Sequence, residues 1–266
     1  MTRLVGVFLV VAGLLTGCSV FGAAPSPTTT YTDTQGQQIT VDWVDYPADA
    51  GVDGEVLLGR ADQTGLEPEA RELVGDLRAA ITDASGLAMA STEAEREWFK
   101  SENWFPSGGN GYGGESLLIT LNCCDLTTNA APGRAQWQSV LDAASEVTVA
   151  AGLGPLVLEQ DSPAMRADPE WSQSYLDQYC NLEGGECWVW RASVYDGVQW
   201  VSFTIENVAL DPTGVAATEA EKFDRPLDSI MFSYGATVVR SGRSDEYARA
   251  IQPFLGLVQP ASTTSD

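Results

Sequence analysis

The 266-residue sequence contains no histidine. Without an imidazole, neither a Ser-His-Asp triad nor a Cys-His pair can form, so the hydrolases that use them are excluded. Zinc sites built on His ligands are excluded as well. No Ser-x-x-Lys sequence occurs either, which argues against a Ser-Lys nucleophile. The acid–base chemistry that remains open is that of Asp and Glu.

Basic residues are scarce, with 14 Lys and Arg against 37 Asp and Glu, for a net charge of −23. Nucleic-acid binders carry a basic footprint, so nucleic acid is excluded as a partner. Attraction to anionic lipid head groups is disfavoured for the same reason. The acidity indicates solubility rather than a site. No motif indicates a metal ion or a cofactor, and we expect neither.

The apolar stretch from Leu4 to Leu15 is too short to span a bilayer, which requires about 20 apolar residues. Arg3 precedes the stretch, and the small residues Thr16 and Gly17 follow it, as in an export signal. Cys18 comes next. The sequence therefore predicts a cleaved leader over residues 1–17.

The run Leu15-Thr16-Gly17-Cys18 resembles the processing site of bacterial prolipoproteins. The resemblance implies cleavage before Cys18 and attachment of diacylglycerol to its thiol. Two or more acyl chains form a stable anchor, so the membrane would be a partner through this lipid. The implied location is the cell membrane, with the protein facing the extracytoplasmic side. Residues 18–38 are poor in large apolar side chains and are predicted to be a flexible tether.

Residues 39–259 are predicted to form a single α+β domain, with a mostly antiparallel sheet and helices packed on one face. Alternation predicts strands over 117–123 and 230–238, and helical spacing predicts helices over 70–84 and 137–151. Thr64 and Glu67 indicate a capping box before the first helix. Residues 260–266 are predicted to be a disordered tail. The layout and leader are similar to actinobacterial LppA-like lipoproteins of unknown role, a resemblance that supplies no functional residues.

Asp196-Gly197 is typical of a two-residue hairpin turn. This turn would place Tyr195 opposite Val198 and Trp190 opposite Phe203, with the apolar residues of both strands on one face. Trp200 falls on the opposite face, where it is either covered by a helix or exposed to a partner, and we expect the helix.

Four cysteines remain after the lipidation site, namely Cys123, Cys124, Cys180 and Cys187. An even number in an exported chain indicates disulfides. Cys180 can pair with Cys187 across a short loop, which leaves a vicinal pair, or the two segments can be joined by crossed bridges. Both pairings remain open, and an all-cysteine zinc site is disfavoured by the oxidising location.

The glycine-rich segment 107–114 lacks the Gly-Lys-Ser/Thr ending of a phosphate-binding loop. Trp104, Phe105 and Tyr112 flank it. These rings indicate a candidate stacking surface for a sugar or a peptide, and the other interpretation is a mobile connecting loop.

The sequence therefore predicts a lipid-anchored cell-envelope module that binds an unknown envelope protein or glycan and is not an enzyme. The alternative is a hydrolase of envelope glycans or peptides that depends on Asp and Glu. A glycosidase of this kind needs two carboxylates placed across a cleft.

Overall fold

The computed structural model describes residues 25–91 and 93–263, which form a single α+β domain with a mostly antiparallel sheet, as predicted. Residues 1–17 and Cys18 lie outside the described residues. The helices are α1 (Gln63–Ser85), α2 (Trp137–Ala150), α3 (Pro163–Ala167), α4 (Pro169–Tyr179), α5 (Val215–Lys222) and α6 (Ser244–Ala250). The strands are β1 (Thr28–Thr32), β2 (Gln38–Asp42), β3 (Ala90–Ser91), β4 (Trp104–Pro106), β5 (Leu118–Thr127), β6 (Val157–Leu158), β7 (Val189–Tyr195), β8 (Gln199–Asn207) and β9 (Asp228–Val239).

The main sheet runs in the order β3, β5, β9, β8, β7, β6, and β4 also pairs with β5. Every pairing recorded along it is antiparallel. Strands β1 and β2 form a separate two-stranded sheet. The strands predicted over 117–123 and 230–238 correspond to β5 and β9.

Helix α1 buries one apolar face in the core, formed by Leu66, Ala70, Leu73, Val74, Leu77 and Ile81. The carboxylate of Asp62 caps the helix by accepting hydrogen bonds from the backbone N–H groups of Thr64 and Gly65. Such a cap stabilises a helix by about 1 kcal/mol because these N–H groups have no partner within the helix. The predicted capping box is therefore wrong, and Glu67 instead pairs with Arg71 at 2.8 Å.

Helix α2 connects β5 to β6 at the opposite side of the sheet. Since each neighbouring pair from β5 to β6 is antiparallel and three strands lie between them, β5 and β6 run in the same direction. The predicted strand–helix–strand crossover is present, but it joins distant strands rather than adjacent ones. Helices α1 and α2 pack against each other and share one hydrophobic core with the sheet.

Strands β7 and β8 form the predicted hairpin, but their register differs from the prediction by two residues. Tyr195 pairs with Trp200 rather than with Val198. The backbone N–H of Asp196 donates to the Gln199 carbonyl at 3.2 Å, so the turn residues are Gly197 and Val198 rather than Asp196 and Gly197. The Asp196 carboxylate accepts hydrogen bonds from the backbone N–H groups of Val198 and Gln199, at 2.9 Å and 2.7 Å. A shift of two residues keeps every side chain on its predicted face, because side chains alternate with a period of two.

The prediction of a flexible tether over residues 18–38 is wrong from residue 28 onward. Strand β1 pairs with β2 along its whole length, and the Trp43 indole N–H donates to the Thr29 hydroxyl at 2.9 Å. The segment is rich in threonine and tyrosine, which favour strands. The folded domain therefore begins before residue 39.

The prediction of a disordered tail over residues 260–266 is also wrong for its first part. The Tyr112 hydroxyl donates to the Pro260 carbonyl at 2.9 Å. The Thr263 N–H donates to the Gly111 carbonyl, also at 2.9 Å. These bonds attach residues 260–263 to the glycine-rich segment.

Candidate functional site

The main sheet has a buried inner face and a partly exposed outer face. Side chains alternate along each strand, and the register aligns those of neighbouring strands. On the inner face, Val201, Phe203 and Ile205 are almost fully buried in the core shared with α1 and α2. The opposite side is called the outer sheet face, and it carries Thr120, Asn122, Ser193, Tyr195, Trp200, Ser202, Thr204, Met231, Ser233, Gly235 and Thr237.

Trp200 lies across the backbone of β9 at Gly235, its partner in the register. A Cβ atom at Gly235 would fall 2.1 Å from the indole Cζ2 atom, so the ring occupies the space that a side chain would need. Trp200 remains partly exposed, and Tyr195 beside it is 57% exposed, with the two ring centroids 6.5 Å apart. The expectation that a helix buries Trp200 is wrong, since the indole packs on strand backbone instead.

The surroundings of Trp200 on the outer sheet face are polar and uncharged. The hydroxyls of Thr120 and Thr237 lie 2.9 Å apart and hydrogen-bond across β5 and β9. Ser193 and Ser202 are exposed. The outer-face positions nearest Trp200, namely Ser193, Tyr195, Ser202, Ser233 and Gly235, carry no charge, although the chain has a net charge of −23. Arg191 and Glu206 are charged and lie on the same face at the end of the hairpin away from its turn. Aromatic rings among hydroxyl groups are suited to ligands that have both apolar and hydrogen-bonding surfaces.

A groove of about 400 Å³ lies at the end of the hairpin away from its turn, and we call it the arginine groove. The end of α4, strands β7 and β8, the segment 208–216 and α5 surround it. The side chains lining it include Asp177, Tyr179, Trp188, Arg191, Glu206, Asp211, Val215, Glu219 and Arg225. Arg191 belongs to the same sheet face as Tyr195 and Trp200, so the groove continues the outer sheet face.

Arg191 is held in the groove by an aromatic ring rather than by a carboxylate. Its guanidinium carbon lies 4.4 Å from the centroid of the Tyr179 ring, and the Tyr179 ring in turn contacts Trp188, with centroids 5.4 Å apart. In the described part of the chain, no carboxylate oxygen lies within 4.0 Å of the Arg191 guanidinium. The groove therefore presents a cation without a directly paired anion.

The charge of Arg191 is secure. Burial acts to lower the pKa of Arg191, but interactions with Tyr179, Tyr175 and Glu159 raise it above its ordinary value. Arginine is already protonated at all physiological pH values. The guanidinium is therefore a permanent cation in this groove.

Asp211 shapes one wall of the groove. Its buried carboxylate accepts hydrogen bonds from the Thr213 hydroxyl at 2.8 Å and from the backbone N–H of Ala216 at 2.9 Å. Burial acts to raise the pKa of Asp211, but these hydrogen bonds outweigh it and lower the pKa below its ordinary value. The carboxylate thus fixes the start of α5, and its oxygens are occupied by internal donors.

The candidate stacking surface of Trp104, Phe105 and Tyr112 is not present. Trp104 is 5% exposed and Tyr112 is 2% exposed, so both rings belong to the core, and only Phe105 is largely exposed at 57%. Trp104 begins β4 and pairs with Leu121 on the inner face. Tyr112 packs against the Trp43 ring, with centroids 5.5 Å apart.

In the glycine-rich segment, Asn110, Gly111 and Tyr112 are buried, whereas Gly108 and Gly113 are exposed. The fully buried Asn110 side chain donates to the Tyr46 carbonyl at 2.8 Å and accepts from the backbone N–H of Gly114 at 2.9 Å. At Gly114 a Cβ atom would lie 1.8 Å from the Val44 carbonyl oxygen. Glycine is required at position 114 because the backbone of residue 44 touches it. The glycine at this position therefore serves the packing of two backbone segments and does not indicate a ligand site.

The cysteines form the local pairing, with one bridge between Cys123 and Cys124 and another between Cys180 and Cys187. The vicinal bridge coincides with a register shift in β5, where Cys124 has a φ of 64°. The second bridge joins the end of α4 to the residue before Trp188. It therefore ties two walls of the arginine groove together.

The hydrolase alternative requires a pair of carboxylates across a cleft. Partial burial of its carboxyl group, with a smaller contribution from Glu93, raises the pKa of Asp125. Asp125 nevertheless occupies an exposed position at the β5 register shift rather than a cleft. This carboxyl group therefore adds no geometric support for a glycosidase.

Across residues 25–91 and 93–263, no three or more Cys, Asp or Glu side chains are grouped so that they could hold a metal ion. In the same ranges, no helix has the length and apolar character needed to cross a bilayer.

No protein family, curated protein or solved structure shows significant similarity to this chain.

Proposed function

We propose that this chain is a lipid-anchored cell-envelope lipoprotein whose domain binds an envelope glycan on its extracytoplasmic side. The observation that carries the binding role is the uncharged part of the outer sheet face around Trp200, where the partly exposed indole lies across Gly235. A flat aromatic ring among hydroxyl groups suits the apolar ring faces and hydroxyl edges of a sugar. The high negative charge of the rest of the chain would repel an anionic polymer, which favours a neutral glycan.

The anchoring role is supported by the prolipoprotein-like run ending at Cys18, and the two disulfides agree with an oxidising compartment. Strand β1 begins at Thr28, ten residues after Cys18. Ten residues span at most roughly 35 Å when fully extended. The domain would therefore act close to the membrane surface.

The anchor is tested by mass spectrometry of the protein purified from its native cell. The expected N-terminal peptide begins at Cys18 and carries the mass of a diacylglycerol with or without an amide-linked acyl chain. In a Cys18→Ser variant, both the lipid mass and the membrane fraction should be lost. An unmodified N-terminal peptide from the native cell would refute the anchoring role.

The binding face is tested by measuring how much isolated envelope glycan the purified protein retains in mild detergent. Trp200→Ala should abolish retention, because it removes the ring on the outer sheet face. Trp171→Ala is the matched control, since Trp171 is a 45% exposed tryptophan on α4. Equal retention by both variants would refute the assignment of this face, and release of shortened glycan would overturn the non-catalytic role.

A further inference from the structure

We propose that the arginine groove binds a small zwitterion, an amino acid or short peptide that carries both a free carboxylate and a free ammonium group. The inference extends the proposed binding function by naming a second ligand class beside the outer sheet face. It does not depend on the lipid anchor, so the two can fail separately.

The first step concerns Arg191. Acidic residues outnumber basic ones by more than two to one, and six other arginines form ion pairs in the described residues, namely Arg60, Arg71, Arg78, Arg96, Arg166 and Arg243. Arg191 has no carboxylate within 4.0 Å in those residues, a property that it shares with Arg134, Arg225, Arg240 and Arg249. Of the two arginines that line the groove, Arg191 is the partly buried one, and Arg225 is exposed. A partly desolvated guanidinium is stabilised most by a planar carboxylate that accepts two parallel hydrogen bonds. The ligand therefore supplies the missing carboxylate.

The second step concerns the orientation of Arg191. Its guanidinium lies over the Tyr179 ring, and the Tyr179 side chain is also a hydrogen-bond partner of Arg191, so this one residue positions the guanidinium. A stacked guanidinium also loses less conformational freedom when it binds, because its plane is already fixed. Tyr179 is held by its contact with Trp188, next to the Cys180–Cys187 bridge. Arg191 is thus preorganised for a planar anion.

The third step concerns the acidic side chains around the groove. Glu206 accepts a hydrogen bond from Ser229 at 3.3 Å through one oxygen only, and Glu219 is exposed at the rim. Asp211, by contrast, uses its oxygens internally. Asp177, Glu206 and Glu219 outnumber the two arginines of the lining, Arg191 and Arg225, so they would repel a dianion such as phosphate and attract an ammonium group. The groove therefore complements a ligand that carries one charge of each sign.

The size and remaining lining agree with this class. A volume of about 400 Å³ is near the lower end for small-molecule sites. Trp188 and Val215 add apolar surface for the rest of the ligand. One or two amino acid residues fit these dimensions.

The test measures binding to the purified full-length protein by isothermal titration calorimetry. The probes are the free amino acids and Ala-Ala, with N-acetyl-Ala-Ala, Ala-Ala amide and inorganic phosphate for comparison. At least one zwitterion should bind with a Kd of about 1 mM or tighter, and blocking either of its charged ends should weaken binding by about tenfold or more. If no zwitterion binds, or if phosphate binds as tightly as the best one, the proposal is overturned.

Variants locate the site. Arg191→Gln should weaken binding of the best zwitterion by about tenfold or more, while Arg96→Gln, which removes an exposed arginine paired with Glu97, should leave it unchanged. Unchanged binding in Arg191→Gln would show that the zwitterion binds elsewhere. If Arg191→Gln does not fold, Glu206→Gln serves in its place. This variant should bind the zwitterion more weakly, and its binding of the N-acetyl derivative, which has no ammonium group, should be unchanged. Any other pattern in that variant overturns the proposal.

Discussion

A methyl group added at Gly235 tests how Trp200 is seated on the outer sheet face. The new Cβ would lie 2.1 Å from the indole Cζ2 and 2.2 Å from Cε2. Contacts this short cannot persist, so the ring must leave β9 or the strands must separate. Gly235 pairs regularly with Asn122 and Trp200 within the sheet. Alanine is therefore acceptable to the strand itself, and the substitution changes mainly the space under the ring.

We expect Gly235→Ala to lower the free energy of unfolding by about 1–3 kcal/mol, the range for overpacking at a tightly occupied position. Urea unfolding followed by circular dichroism measures this as a lower midpoint with an unchanged slope. The same variant should lose glycan retention as Trp200→Ala does, because both remove the seated ring.

The decisive comparison is a double-mutant cycle with Trp200→Ala. Without the indole, Gly235→Ala should be neutral or stabilise by about 0.5–1 kcal/mol, because alanine loses less backbone freedom than glycine on folding. The coupling energy should therefore be at least about 1 kcal/mol. If Gly235→Ala destabilises both backgrounds equally, the methyl group collides with something other than the ring, and the reasoning about this face is wrong.

Two further predictions concern the core and its titration. Gly114→Ala should lower the free energy of unfolding by at least about 3 kcal/mol or prevent folding, since the new Cβ would lie 1.8 Å from the Val44 carbonyl oxygen. Gly108→Ala is the control, because no atom lies within 4 Å of the Cβ position there, and it should change the thermal midpoint little. Burial raises the pKa of Tyr46 to about 12. In the unfolded chain this hydroxyl loses its proton near pH 10, whereas the native state keeps it up to about pH 12. The free energy of unfolding therefore falls as pH rises from about 10 to about 12, by up to about 1.4 kcal/mol per pH unit for this group. Urea unfolding between pH 9 and pH 12 should show a shallower fall for Tyr46→Phe, and an identical slope would contradict the assignment.

The sequence predicted the fold class because its strongest patterns belong to elements with one buried face. Alternation in β5 and β9 and helical spacing in α1 and α2 reflect burial directly. Boundaries were less predictable. Asp62 takes the capping role predicted for Thr64, and both residues are plausible caps when only the sequence is known. Strand β1 was missed because its burial depends on a partner strand that local composition does not reveal.

The aromatic residues near the glycine-rich segment illustrate a different limit. Composition left a stacking surface and a mobile loop as alternatives, yet the Asn110 side chain is fully buried and hydrogen-bonds to the Tyr46 carbonyl. The polar contacts that bury it join residues 46 and 110, which are far apart in the chain. Such contacts depend on tertiary packing, and no local pattern encodes them. Trp104 and Tyr112 were therefore assigned to a surface when they belong to the core.

The outer sheet face shows what a pattern can and cannot predict. Alternation in the hairpin placed Trp200 on the face opposite Trp190 and Phe203, and the two-residue error in register left that assignment intact because it preserves parity. The strand pattern does not determine whether this face is covered, because that depends on where the helices α1, α2 and α5 pack. Only the Arg191 end is enclosed, by α4 and α5, and the Trp200 end is partly exposed. One strand pattern thus produces two environments, and each suits a different kind of ligand.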